Sequence, residues 1–173
     1  FGAAYVDLRP LSGNLAGVAA TFALAKPGDT ALEVLFGHKY AKKLSETALD
    51  INLKSIQIPW DWERFNVDLE KTVSLIEQER PKLVTIGSGV FLFPHPVREI
   101  REAMDRYVPD SYLIFDAAHV IGLIAGKQFP NPLEEGADVV ISSTHKTLAG
   151  PQGGLVMTNE KSLAEQIGPA IAP

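Results

Sequence analysis

No cysteine occurs in the chain, so neither a disulfide framework nor a thiolate metal site can be built, and a reducing compartment is compatible. Basic residues are the minority among the charges: 16 Lys and Arg stand against 21 Asp and Glu, for a net charge of −5. With no Lys/Arg cluster either, nucleic acid is not expected as a partner. No apolar run reaches bilayer-spanning length, and the opening Phe1-Gly-Ala-Ala-Tyr5 lacks the basic flank of a signal peptide. No membrane partner is expected, and a cytoplasmic location is. No metal site, repeat, low-complexity tract or internal domain boundary is visible, so residues 1–173 read as one domain.

What is present is a regular alternation of strand and helix signals. Strands are expected at Tyr5–Arg9, Thr30–Leu35, Lys54–Pro59, Lys82–Ile86, Tyr112–Phe115, Val139–Ile141 and Leu155–Thr158. Helices are expected at Leu15–Lys26, from Ala41 to Leu49 after a Phe36–Tyr40 loop, at Val67–Arg80, at Pro96–Tyr107 and after Asn159, which would cap the last one. Asp61–Asn66 and most of 120–136 read as loop. This order predicts an α/β fold: a three-layer, mostly parallel seven-stranded sheet with helices on both faces. The last strand follows the sixth after a short loop and is expected to pair antiparallel. In such a sheet ligands sit beyond the carboxyl ends of the strands. Ser12-Gly13-Asn14, His38, Ser88, Asp116, His119 and Ser143 to Lys146 all fall there.

The stretch after Val139-Val-Ile141 carries the strongest chemical signal. The apolar run gives way to Ser142, Ser143, Thr144, His145 and Lys146, then to a loop rich in Gly and Pro. A lysine at the end of a buried strand is expected to be desolvated, which lowers its pKa and frees a nucleophilic amine. The common biological aldehyde for such an amine is pyridoxal 5'-phosphate (PLP). That cofactor also needs a carboxylate at its ring nitrogen, and Asp116 follows four apolar strand residues. Its phosphate suits backbone N–H groups at a helix start, which Ser12-Gly13-Asn14 supplies. His38 could stack on the ring, and His119 could reach the ring oxygen or the substrate. Taken singly, each has a plainer reading: a surface lysine, a strand-end turn aspartate, a helix cap, a loop histidine. Ser88 alone reads as lining a turn, and His95, between two prolines, as structural.

The motifs also resemble one family. Ser143-Thr-His-Lys-Thr-Leu-Ala-Gly-Pro-Gln-Gly-Gly154 resembles the PLP-lysine motif of serine hydroxymethyltransferase, T-T-H-K-T-L-R-G-P-R-G-G. Asp116-Ala-Ala-His119 with Val-Ile-Gly-Leu-Ile-Ala-Gly126 is similar to that family's D-x-A-H-x-x-G-L-x-A-x segment. Ser12-Gly-Asn-Leu-Ala16 is similar to its S-G-S-Q-A phosphate loop, and Pro27-Gly-Asp-Thr30 to the segment leading to its stacking histidine. The resemblance implies the large domain of a fold-type I PLP enzyme over 1–173, without the family's N-terminal arm and C-terminal small domain. It implies that Lys146 forms the internal aldimine, that Asp116 holds the pyridine nitrogen, and that His119 contacts the ring hydroxyl side. His38 stacks on the ring, Ser12, Gly13 and Asn14 hold the phosphate, Thr144 and His145 line the pocket, and Ser88 approximates a family serine. The implied reaction is Cα–Cβ cleavage of a β-hydroxy amino acid, with tetrahydrofolate as a possible co-substrate, in a homodimer or higher homo-oligomer. The alternatives are a transaldolase or aldolase, another fold-type I PLP enzyme, or a catalytically incomplete fragment. Departures from the family pattern are Asn14 for a serine, Lys39-Tyr40-Ala41 for Gly-Gly-His, and Ala149 and Gln152 for arginines.

Overall fold

The structure, a computed structural model, describes residues 1–46 and 51–172. Strand β1 (Tyr5–Asp7) leads to helix α1 (Gly13–Leu24), whose start is capped by Ser12: its Oγ accepts from the N–H of Leu15 at 3.2 Å. Then follow β2 (Thr30–Glu33), α2 (Tyr40–Glu46) and β3 (Lys54–Gln57). The expected end of α2 at Leu49 lies outside the described residues. A small antiparallel pair, β4 (Trp60–Asp61) and β5 (Asn66–Val67), stands where the sequence reads as loop. The pair forms because Asp61 Oδ1 accepts from the N–H groups of Glu63 and Arg64 and closes the turn.

Helix α3 (Leu69–Glu79) starts after Asp68, whose carboxylate accepts from the N–H of Lys71. After it come β6 (Leu83–Ile86), α4 (Val97–Tyr107) and β7 (Tyr112–Asp116). A short helix, α5 (Ile121–Ala125), occupies part of the expected 120–136 loop, its apolar Ile121 and Ile124 buried. The chain continues through β8 (Val139–Ser143), β9 (Gly154–Thr158) and α6 (Lys161–Ile171). Asn159 does not cap α6. Its Oδ1 accepts from the N–H of Ala4, and Glu160 stands at the cap without a side-chain bond.

Seven strands form one sheet in the order β1-β9-β8-β7-β6-β2-β3. Strands β2, β3, β6, β7 and β8 run parallel, while β9 is antiparallel to both β8 and β1. The period-two alternation of strand side chains sorts the core into two halves. Val84, Leu113, Phe115 and Val140 face one layer with Ile76 of α3, Ile100 and Met104 of α4, and Ile121 of α5. Leu83, Ile114, Val139 and Ile141 face the other, with Ala16 and Ala20 of α1, Tyr40 of α2 and Ile167 of α6. The expected three-layer, mostly parallel architecture is the one observed. The same parity decides the site. Asp116, two residues past Ile114, and Ser143, two past Ile141, both emerge on the layer that contains α1.

Candidate active site

At the carboxyl ends of β7 and β8 a cavity of about 180 Å³ opens on this layer. The start of α1 contributes Ser12, Gly13 and Asn14, and the β2–α2 connection contributes His38 and Tyr40. Asp116 and Ala118 follow β7; Ser143, His145, Lys146 and Gln152 come from the end of β8 and its loop. Segments far apart in sequence therefore meet at one hollow. A Cβ on Gly13 would stand 2.7 Å from the Ser143 backbone nitrogen, so only glycine lets α1 begin this close to β8.

Asp116 is 7% exposed, and its carboxylate is held from below. Oδ1 accepts from the N–H of Ala118 at 3.1 Å, and Oδ2 accepts from the Tyr40 hydroxyl at 2.8 Å. A carboxylate has room for about four such bonds, so capacity remains for a donor in the cavity. Tyr40 is fully buried. Burial, reinforced by the Asp116 charge, pushes its phenol far above the usual range, so it stays a donor. Nothing in the sequence singles out Tyr40. It occupies one of the positions that depart from the family pattern, and its packing under α1 depends on a glycine a helix away: a Cβ on Gly17 would overlap the Tyr40 ring at 2.1 Å.

Lys146 is exposed, so within this chain it lacks the desolvation expected of a lysine ending a buried strand. Its position is fixed instead by bonds around it. The loop folds back with Thr144 Oγ1 donating to the Pro151 carbonyl and the Gly150 N–H donating to the Thr144 carbonyl. Thr147 Oγ1 accepts from the N–H of Gly122 in α5. The Lys146 ammonium lies 3.2 Å from His119 Nε2. Partial burial, and then the Lys146 charge, lower the pKa of His119, so its neutral ring accepts from the ammonium. Burial likewise lowers the pKa of His38, with Asp116 opposing. The His38 ring is tilted 36° to the Tyr40 ring at 5.5 Å.

Three expected members stand off the cavity wall. His119 reaches it only through Lys146. Thr144 spends its hydroxyl on the loop. Ser88 is buried, with its Oγ accepting from the N–H of Val90 inside its own turn. His95 is structural in position: Nδ1 donates to Asn66 Oδ1 at 2.6 Å, and its ring packs on Phe91 and Trp60.

The serine hydroxymethyltransferase family model matches residues 1–170. The chain belongs to that family. Serine hydroxymethyltransferases of Pyrobaculum islandicum and Sulfolobus acidocaldarius are 45% and 44% identical over 91% and 98% of the chain. The one from Methanocella arvoryzae is 43% identical over all of it. The chain spans 36% to 41% of the length of these relatives. Among solved structures, the L-threonine transaldolase of Pseudomonas fluorescens, in its internal aldimine state, superposes with a TM-score of 0.90 at 27% identity. The match covers 99% of this chain and 39% of that one. Both likenesses extend over nearly the whole sheet and include every segment that lines the cavity.

Proposed function

We propose that this chain is the cofactor-binding large domain of a PLP-dependent enzyme of the serine hydroxymethyltransferase type, acting on a β-hydroxy amino acid. The observation that carries this reading is the meeting of Lys146, Asp116 and the start of α1 at one cavity. The residues fit the cofactor. Ser143 Oγ is buried at the cavity wall and has no hydrogen-bond partner among the described residues. An orphaned buried hydroxyl beside the start of a helix is a place for an anionic oxygen.

When bound, PLP supplies an electron sink for the carbanion left by Cα–Cβ cleavage. The chain's own residues do the rest. Lys146 offers its nitrogen to the aldehyde, and His119 Nε2 accepts a hydrogen bond from that nitrogen and orients it. Asp116, buried and steadied by Tyr40 and Ala118, holds a proton on the ring nitrogen. Ser12, Gly13 and Asn14, with Ser143 beside them, would hold the phosphate, and His38 would cover a ring face. The family's N-terminal arm and small domain are not among residues 1–173, and a homo-oligomer in the cytoplasm completes the site. Tetrahydrofolate is the acceptor on the serine hydroxymethyltransferase reading. The transaldolase likeness supports a second reading, transfer to an aldehyde acceptor without folate.

The test is retro-aldol cleavage of β-hydroxy amino acids, with and without tetrahydrofolate, in an active preparation containing this domain. Asp116→Asn should bind PLP yet lose most turnover, by about a hundredfold or more, because a neutral amide cannot hold the ring proton. Turnover unchanged in that variant would remove Asp116 from its role.

A further inference from the structure

We propose that Lys43 of α2 is a cation for the cofactor's phosphate, a binding residue that this chain places beside the start of α1. The inference rests on the PLP reading above. Its ground is position. The Lys43 ammonium donates to Asn14 Oδ1 at 2.7 Å, and Asn14 is both the second residue of α1 and part of the cavity wall. The same ammonium lies 5.8 Å from the centre of the Tyr40 ring and close enough to His38 to disfavour its charged form. Asn14, Tyr40 and His38 all line the cavity, and the bond to Asn14 holds the charge at the end where α1 begins.

Among the described residues the Lys43 ammonium bonds to an amide oxygen and to no carboxylate, and the one acid lining the cavity, Asp116, is engaged by Tyr40 and Ala118. The orphaned Ser143 hydroxyl, 2% exposed, marks the same end as an anion's place. Asn14 has a part in this. A serine could accept from the ammonium but has less reach; the amide oxygen holds it while the amide N–H₂ stays free to donate to phosphate. A charge-assisted bond and a helix start together bind a dianion more tightly than the helix start alone.

The experiment compares PLP with pyridoxal, which has the aldehyde and ring but no phosphate. Affinities are measured by absorbance titration, without reference to turnover. Lys43→Met should weaken PLP by about tenfold and flatten its salt dependence, while pyridoxal changes little. Lys43→Arg should retain most of the PLP affinity, and Lys43→Gln should behave as Lys43→Met, with melting curves showing that each is folded. Unchanged PLP affinity in Lys43→Met, or equal weakening of PLP and pyridoxal, would overturn the assignment. If the unmodified protein binds PLP no better than pyridoxal, the proposed phosphate end fails, and with it this role. If it does not bind PLP at all, the cofactor reading fails, whatever Lys43 does.

Discussion

At the scale of single residues, the strongest perturbation away from the cavity is at His95. Burial against Trp60 and Phe91 lowers its pKa to about 4 from 6.5. Its Nε2 has no partner among the described residues, so a proton added there would be buried and unpaired. The folded state therefore prefers the neutral ring, whereas the unfolded chain takes up the proton near 6.5. The stability this contributes is complete above about pH 6.5 and is lost as the pH falls towards 4. By linkage the loss approaches about 3 kcal/mol. Urea melts at pH 7 and pH 4.5 should show the unaltered protein losing about 2 to 3 kcal/mol more than His95→Gln; parallel losses would rule the account out. The sequence shows His95 as structural from its flanking prolines. It does not show Tyr40, because the value of that residue comes from a bond to Asp116 76 positions away, made under a helix that Gly17 leaves open. Nor does it show the exposure of Lys146. The end of a buried strand is visible in Val139 to Ile141, but how far the following loop stands out into solvent is a tertiary matter.

At the scale of elements, the start of α1 holds the site together. Ser12 caps it, Gly13 touches β8, Asn14 holds Lys43, and the Gly154 N–H donates to the Pro10 carbonyl just before it. A side chain at position 13 must push α1 away from Ser143, since the nearest atoms are backbone and cannot turn aside. Gly13→Ala should cost about 1 to 3 kcal/mol of stability and, on the proposed placement of the phosphate at the start of α1, weaken PLP more than pyridoxal. Equal stability and equal PLP affinity in that variant would show that α1 is not the phosphate anchor. The elements that carry the site were legible because both signals are local: strand runs of β-branched residues, and cap residues before an Ala-rich helix. The β4–β5 pair and α5 were not. Two-residue strands and a five-residue helix are too short to show a period, and their formation is decided by the Asp61 turn and by burial of Ile121 and Ile124.

At the scale of the whole molecule, sheet parity does the organising. Five parallel strands point their carboxyl ends one way, and alternation along β7 and β8 delivers Asp116 and Ser143 to the layer where α1 begins. Lys146 then closes the cavity from the same side. The outline was readable from strand and helix order, and the choice of layer could be counted along each strand. The cavity itself could not, since it depends on how closely α1, α2 and the lysine loop approach. On the proposed function, a single aldehyde cofactor would touch Lys146 while its ring meets Asp116. The direct measurement is to add PLP, reduce with sodium borohydride, digest, and locate the phosphopyridoxyl mark by mass spectrometry. The account predicts one mark, on Lys146, lost in Lys146→Ala and reduced by excess inorganic phosphate. A mark spread over surface lysines such as Lys42, Lys71 and Lys161, with Lys146 no more labelled than they are, would contradict it.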